Sequence, residues 1–280
     1  MKLSVFHRTT YEYASPVKES FNEARLRPVS NEHQTCESFD LKVVPAARIS
    51  QYTDFHANVL HYFELPEPHR TLVVESSSVV TTKPILIDIT ATPASMELRP
   101  QCQRMERCFD FLQECTYIEK SPEAWRLALD ITADVSDMWQ AGVAIMRYVH
   151  ANFAYVPNST SVHTHMRDVL RERMGVCQDL AHVMIGLCRA IGIPALYVSG
   201  YLYNGPRDQL LGSQASHAWC EVFLPGTGWR GLDPTNNQIT DERYIKLAVG
   251  SDYADVPPVR GHYKGTTERT MTVEVIVEAC

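Results

Sequence analysis

From Leu3 onward, hydrophobic and polar positions alternate, so that Leu3, Val5, His7, Thr9, Tyr11 and Tyr13 fall on one face of an extended chain. The alternation, with its Val, Thr, Tyr and Phe content, continues to about Thr82 and predicts antiparallel strands. Further strand-like runs at 38–44, 59–65 and 71–80 are separated by turns carrying Pro45 and Pro66-Glu67-Pro68. A small sandwich would bury such strands. After Pro93 the spacing becomes helical, in segments around 104–115, 122–130 and 135–153. Ser121 ahead of Pro122-Glu123-Ala124 predicts a helix N-cap with proline in the first turn, where its missing donor is not needed. The stretch from Ala141 to Tyr155 predicts a long buried helix. Beyond Gly192 the period returns to two, predicting strands at 195–203, 216–223 and 229–233. A last alternating run from Thr270 to Val277 follows Val256-Pro257-Pro258, which would let it join the first sheet. The pattern is that of an α+β chain: residues 1–95 as an N-terminal antiparallel β-sandwich domain, with 268–280 as the returning strand, and 96–267 as an α+β core.

Chemistry concentrates in Gly175-Val176-Cys177-Gln178-Asp179-Leu180-Ala181-His182, which runs into an apolar helix with Leu180, Met184, Leu187 and Ile191 on one side. Gly192 can take a left-handed cap there and Pro194 forbids continuation. A cysteine at a helix start faces unpaired backbone donors and the positive end of the helix dipole, which favour thiolate over thiol and can bind an oxyanion. On local sequence alone, Cys177 reads equally well as a buried small hydrophobe.

A partner is expected in Ser216-His217-Ala218-Trp219-Cys220-Glu221-Val222-Phe223, joined through Leu224-Pro225-Gly226-Thr227-Gly228 to Trp229-Arg230-Gly231-Leu232-Asp233-Pro234-Thr235. If these form a hairpin with a five-residue loop, Phe223 opposes Trp229 and Trp219 opposes Asp233. His217 and Asp233 then become diagonal neighbours on one sheet face. A four-residue loop would send Asp233 to the other face. Cysteine, histidine and aspartate so placed would serve as nucleophile, base and orienting acid. By the 100° step of a helix, His182 points away from Cys177. His163 and His165 fall in a loop and are left unassigned, and Asp179 reads as structural.

The composition narrows the functions available. The 280 residues are 45% hydrophobic and 21% charged, ordinary for a globular protein, and the formal net charge of -7 with no basic block argues against nucleic acid. The start, Met1 to Arg8, has no apolar stretch of signal-peptide length, and nothing approaches the roughly 18 apolar residues of a membrane span. A soluble, cytoplasmic protein without membrane contact is expected. Eight cysteines without a Cys-x-x-Cys pair read as reduced thiols, and no Cys/His set, Cys188 and Cys220 included, has the paired spacing of a zinc site. No metal and no cofactor are expected.

The stretch from about Tyr148 to Thr235 resembles the transglutaminase-like superfamily core. The resemblance is carried by Phe153-x-Tyr155, Arg173-Met174-Gly175-Val176-Cys177-Gln178-Asp179, Arg189-Ala190-Ile191-Gly192-Ile193-Pro194-Ala195, Val198-Ser199-Gly200-Tyr201, His217-Ala218-Trp219 and Leu232-Asp233-Pro234-Thr235. The first 80 or so residues resemble the bacterial transglutaminase-like N-terminal region, through His7-x-Thr9-x-Tyr11-x-Tyr13, Pro16-Val17 and Asn22-Glu23-x-Arg25-Leu26-x-Pro28. Ala57 departs from that pattern, where glycine is usual. The resemblance implies a papain/transglutaminase-like core with the nucleophile at a helix N-terminus packed on an antiparallel sheet. It also implies Cys177 as nucleophile, His217 as base and Asp233 as orienting acid, acting on peptide or amide bonds through a thioester. The backbone donor at Cys177 would then belong to the oxyanion hole. Tyr155, Gln178 and Trp219 are further candidates for oxyanion or substrate contacts, against packing at a helix end for Tyr155 and core filling for Trp219. A cysteine peptidase or amidase is the leading expectation. Protein-glutamine transglutamination and a catalytically silent peptide-binding module are the alternatives. The substrate would be a peptide, a protein or a small amide, and the oligomeric state is open.

Overall fold

One strand organises the first half of the fold. The computed structural model describes residues 1–84, 94–157, 159–160, 163–205, 211 and 216–280, and in it β1 (Lys2–Ala24) runs for 23 residues. Its alternate positions Leu3, Val5, His7, Thr9, Tyr11 and Tyr13 are all buried, as the pattern predicts. β2 (Gln34–Val44), β3 (Ile49–Thr53), β4 (Val59–Leu65) and β5 (His69–Thr82) join it in the order β2-β5-β1-β4-β3, every pair antiparallel. The β1–β5 register shifts between Glu12 and Val17, so the first part of β1 pairs with β5 and its last part with β4. Tyr11, Leu72 and Val74 from one half and Phe63 and Leu65 from the other share a single apolar cluster. The sandwich is thus made from one sheet folded over its own core. β3 gave no sequence signal because it is an edge strand with almost every position exposed, and so carries no apolar alternation.

The chain then turns helical through α1 (Arg99–Cys102), α2 (Glu106–Phe109), α3 (Pro122–Ile131) and α4 (Met138–Asn152). The helical run expected over 104–115 is reduced to α2 and a single 3-10 turn, because Cys108, Phe111 and Leu112 are too few buried positions to hold a longer helix. At α3, Ser121 Oγ accepts the Ala124 N–H at 3.1 Å, the cap anticipated there. α4 stops at Asn152 rather than reaching Tyr155, because Ala154–Tyr155 form β6 and pair in parallel with β7 (Met174–Gly175). Between these two short strands lies α5 (Met166–Glu172), ended by Arg173 in the left-handed region at φ 57°.

α6 (Cys177–Ala190) is the central helix and is buried along almost its whole length. It packs against α3, α4, α5 and two strands of the second sheet. Its buried apolar side chains, among them Val183, Met184, Ile185 and Leu187, are each worth roughly 1.5–3 kcal/mol on removal from water. Gly192 at φ 82° ends it, with the Ile193 N–H reaching the Cys188 carbonyl at 3.0 Å. The second sheet follows as β8 (Ala195–Leu202), β9 (His217–Leu224), β10 (Gly228–Asp233), β11 (Gln238–Ile239) and β12 (Tyr244–Gly250), antiparallel in the order β11-β10-β9-β8-β12. Finally β13 (Val259–Lys264) and β14 (Arg269–Ala279) return to pair with β1.

Apolar packing and hydrogen bonds both bind the sheets together. Leu3, Val5 and Val80 pack on Tyr201, Ile245 and Leu247 in one cluster. Beside it, two side-chain amides act as strand partners for β12. Gln34 Oε1 accepts the Lys246 N–H at 2.8 Å while its Nε2 donates to the Lys246 carbonyl at 2.9 Å. Asn58 does the same to Val249 at 2.8 Å in both directions.

Asn58 is presented by Ala57 at φ 63°, the position where glycine is usual in the family resembled. A non-glycine residue there carries about 1–2 kcal/mol of backbone strain, partly offset by the extra freedom glycine has when unfolded. Ala57→Gly is therefore expected to stabilise the protein by about 1 kcal/mol in urea unfolding. A lower midpoint would show that Ala57 sits there without strain.

Candidate active site

The hairpin β9–β10 adopts the register required of it. Phe223 opposes Trp229 and Leu232 opposes Cys220, with pairing continuing to Leu224 and Gly228, so the connecting loop is shorter than expected but of the same parity. Asp233 consequently shares a face with His217, and His217 Nε2 donates to Asp233 Oδ2 at 2.8 Å. Both side chains are fully buried.

Asp233 is held by more than the ring. Its Oδ2 also accepts from Tyr244 Oη at 2.9 Å and Asn236 Nδ2 at 2.8 Å, and its Oδ1 accepts the Thr235 N–H at 2.8 Å. Burial alone would push this carboxyl up, but the His217 charge and these donors carry it below the usual carboxylate range. For His217, burial favours the neutral ring, and the Asp233 carboxylate together with Cys177 overcomes it, raising the imidazole to about 10. Nδ1, the ring nitrogen not taken by Asp233, has no hydrogen-bond partner among the described residues, and Cys177, which lines the same cavity, adds to Asp233 in raising the ring's pKa.

Cys177 opens α6 and is partly exposed. Just ahead of it, the Val176 N–H is bound by Asp179 Oδ2 at 2.8 Å, and Thr160 Oγ1 donates to the same oxygen at 2.5 Å. Asp179 is thus a structural group closing the first turn, as expected of it. Gly175 makes this possible, since a Cβ there would lie 2.6 Å from Asp179 Cβ. The Cys177 N–H, at the first position of the helix, has no acceptor within the helix. The β6–β7 pair sets Tyr155 opposite Gly175, two residues before Cys177. Burial, and then the charge of Cys177, raise the Tyr155 phenol.

A cavity of about 310 Å³ opens onto Cys177 and His217, with Tyr155, Gln178, Tyr197 and Ser199 among its walls. Trp219 is not among them. It is 1% exposed and packs in the core beside His217 and Tyr244, which corrects its candidacy as a groove residue. Trp219 and His217 do share a sheet face, but the tryptophan is two residues further along β9 and packs among Leu196, Val198 and Leu202. His182 lies away from the cavity. Its Nε2 accepts the Tyr253 N–H at 3.2 Å, its ring stacks on Tyr117, and burial lowers it to about 3. His163 bonds the Tyr117 hydroxyl at 3.1 Å and His165 packs edge-on to the same ring.

Several contributors escaped the sequence reading. Asn236 follows Asp233 in an Asp-Pro-Thr-Asn turn, and that spacing was the one local signal available for it. Tyr244 lies on a strand that was not predicted, and Tyr197 had only its strand position to mark it. Among the described residues, no group of three or more His, Cys, Asp or Glu could hold a metal.

A thiol at a helix start beside a buried imidazole–carboxylate pair on an antiparallel sheet is the architecture of a papain-like thiol enzyme. Residues 126–234 match the transglutaminase-like superfamily and residues 3–81 match the bacterial transglutaminase-like N-terminal region. An uncharacterized protein of Mycobacterium leprae is 37% identical over 282 residues, covering 98% of each chain. A protein-glutamine gamma-glutamyltransferase of Pseudomonas aeruginosa is 35% identical over 133 residues, 43% of this chain and 20% of its own. In fold, the chain is similar to a proposed cysteine protease from Cytophaga hutchinsonii, with a TM-score of 0.83 and 24% identity over 99% of this chain and 90% of that one. The chain belongs to the transglutaminase-like superfamily, with the bacterial transglutaminase-like N-terminal region ahead of its core.

The raised His217 has a consequence for stability. Because its pKa in the fold exceeds the ordinary 6.5, its contribution is complete below that pH and is lost as pH rises through about 10. The gap in unfolding free energy between the protein and its His217→Gln form should therefore narrow from pH 6.5 to 10 in urea titrations. A gap constant across that window would mean the ring is neutral in the folded protein.

Proposed function

We propose that the protein is a thiol acyl-transfer enzyme acting on peptide or amide bonds, with Cys177 as nucleophile, His217 as its acid–base partner and Asp233 as the group that orients the ring. The observation that carries this reading is the 2.8 Å bond from His217 Nε2 to Asp233 Oδ2, which leaves the ring's other nitrogen to Cys177 at the start of α6. Cys177 Sγ attacks the carbonyl carbon, and the carbonyl π electrons move to oxygen. The Cys177 N–H and the Tyr155 hydroxyl would receive the oxyanion. As the tetrahedral species collapses, the C–N bond breaks, and the His217 proton passes to the departing amine, leaving a thioester and a neutral ring. Water then gives its proton to His217 and its oxygen to the acyl carbon, releasing acid and thiolate.

Hydrolysis is the preferred outcome, because water needs no second binding site, and a cysteine peptidase or amidase in the cytoplasm is the reading favoured. Amine transfer is the second reading, favoured by the similarity of the core to the Pseudomonas aeruginosa protein-glutamine gamma-glutamyltransferase. In that case a primary amine replaces water at the thioester.

The test is intact-mass spectrometry after mixing with p-nitrophenyl acetate. Cys177 should take up one acetyl group and lose it to water, and His217→Ala should slow the uptake by roughly 10²–10⁴-fold. Cys177→Ala should take up none at the site, and an undiminished adduct in that variant would remove the mechanism. Added ethylamine distinguishes the two readings by whether N-ethylacetamide or acetate is the product.

A further inference from the structure

β14 is an edge strand, and part of it borders the cavity of Cys177 and His217. It pairs with β1 alone, in an unbroken register from Leu3 opposite Ala279 to Tyr13 opposite Arg269. Just beyond the two ends of that ladder, the Cys280 N–H donates to the Lys2 carbonyl at 3.0 Å and the Ala14 N–H donates to the Glu268 carbonyl at 3.1 Å. Both bonds fall on even-numbered residues of the returning chain. Hydrogen-bonded pairs alternate along an antiparallel ladder, so the even positions of β14 turn their backbone groups to β1 and the odd positions turn theirs outward. Met271, Val273, Val275 and Val277 therefore present N–H and C=O groups along a free edge. Among the described residues, no other strand pairs with that edge and no backbone hydrogen bond reaches it.

Natural sheets blunt such edges with lysine, proline or a bulge. The opposite edge of this sheet follows the rule, since β2 has a bulge between Cys36 and Ser38 and carries Lys42. β14 has no bulge, no lysine and no proline, and its inward positions Met271, Val273, Val275 and Val277 are all apolar. A long, regular edge of this kind is a template for an added strand.

The position of the edge identifies what would pair with it. Met271 and Val273 line the cavity together with Cys177, His217 and, from β1, Thr9 and Tyr11. Yet Met271 is 53% and Val273 38% exposed, against 2% for Thr9 and 7% for Tyr11 on the neighbouring strand. The cavity is closed over β1 and open over β14, so its mouth passes across the free edge. A chain that places a carbonyl at Cys177 and leaves by that mouth runs beside the outward groups of Met271 and Val273, which an extended backbone matches.

We propose that β14 is a substrate-docking edge: an extended segment of the acyl-donor polypeptide adds to the first sheet as a strand beside Met271 and Val273, while the carbonyl to be attacked enters the cavity at Cys177. This rests on the acyl-transfer reading of the cavity and narrows its substrates to polypeptides in extended conformation, over small amides. Backbone pairing supplies the affinity, and alternate side chains of the docked segment meet the apolar wall of Met271, Val273 and Tyr11.

The test is protection of Cys177 from iodoacetamide by the hexapeptide acetyl-Thr-Val-Lys-Val-Thr-Val-amide, compared with acetyl-valine methylamide. Each rate is normalised to the unprotected rate of the same variant. The hexapeptide should halve labelling at a concentration at least about tenfold lower, the worth of one or two added backbone hydrogen bonds. Val273→Pro removes one outward donor and leaves the ladder to β1 whole, so it should cut that advantage by about three- to tenfold. Val273→Ala keeps the N–H and should retain the advantage. Should the proline variant fail to fold, amide hydrogen exchange in the unsubstituted protein decides the matter. Saturating hexapeptide should slow exchange at Met271 and Val273, which is fast in the free protein, while Thr272 and Glu274, bonded to β1, stay slow throughout. Equal protection by the two compounds, or unchanged exchange at Met271 and Val273, would overturn the proposal. So would protection of those two amides without peptide that rises with protein concentration, the mark of a second copy on the edge. Both readouts need only binding, so failure of the acyl-transfer reading would appear separately, as absence of an acetyl adduct at Cys177.

Discussion

The His217–Asp233 pair has no exposed side-chain surface on either residue, with ring and carboxylate 2.8 Å apart. A charge pair taken out of water survives only if its remaining lone pairs and protons are satisfied, and removing one partner typically costs about 3–5 kcal/mol. Much of the second sheet follows from that demand. The β9–β10 hairpin must hold the parity that keeps both residues on one face. The chain after Asp233 must turn at once so that Thr235 and Asn236 can donate back to the carboxylate, and β12 must begin where Tyr244 reaches the same oxygen. Trp219 then fills the space beside the ring, which explains why so large a side chain in the His-Ala-Trp segment belongs to the core.

The first sheet is joined to this arrangement. Gln34 and Asn58 extend the backbone hydrogen bonding of β12, the strand that carries Tyr244, and Leu3, Val5 and Val80 pack on Tyr201, Ile245 and Leu247. The face of β1 that begins with these core residues continues into His7, Thr9 and Tyr11 at the cavity. One alternating run therefore does two jobs, anchoring the two sheets to each other at its start and bordering the cavity of Cys177 and His217 two residues later.

Where residues act through local periodicity, the sequence was readable. The helix start at Cys177, the Gly192 cap, the Ser121 cap and the hairpin parity that joins His217 to Asp233 all follow from spacing and turn chemistry. What stayed hidden depends on contacts distant in sequence. β3 had no apolar alternation to reveal it, and Tyr244 becomes a partner of Asp233 only when β12 crosses to the far side of β8. The end of α4 was misjudged for the same reason: Tyr155 leaves the helix to pair with Gly175, a partner 20 residues further on. For Trp219, period-two alternation fixed its face but could not tell a groove wall from the packed core beside it. The His7 ring meets the Tyr201 hydroxyl, nearly 200 residues away, so the motif was visible in the sequence while its geometry was not.

The most direct test of the account is the pH dependence of Cys177 alkylation by iodoacetamide, compared with the His217→Leu variant. If a charged His217, held by Asp233, is the partner of this thiol, labelling of the wild-type protein should be fast and nearly constant from pH 6 to 8. The variant should label at least about tenfold more slowly at pH 6.5 and accelerate only toward the ordinary thiol range near 8.5. Identical profiles for the two proteins would contradict the account at its centre.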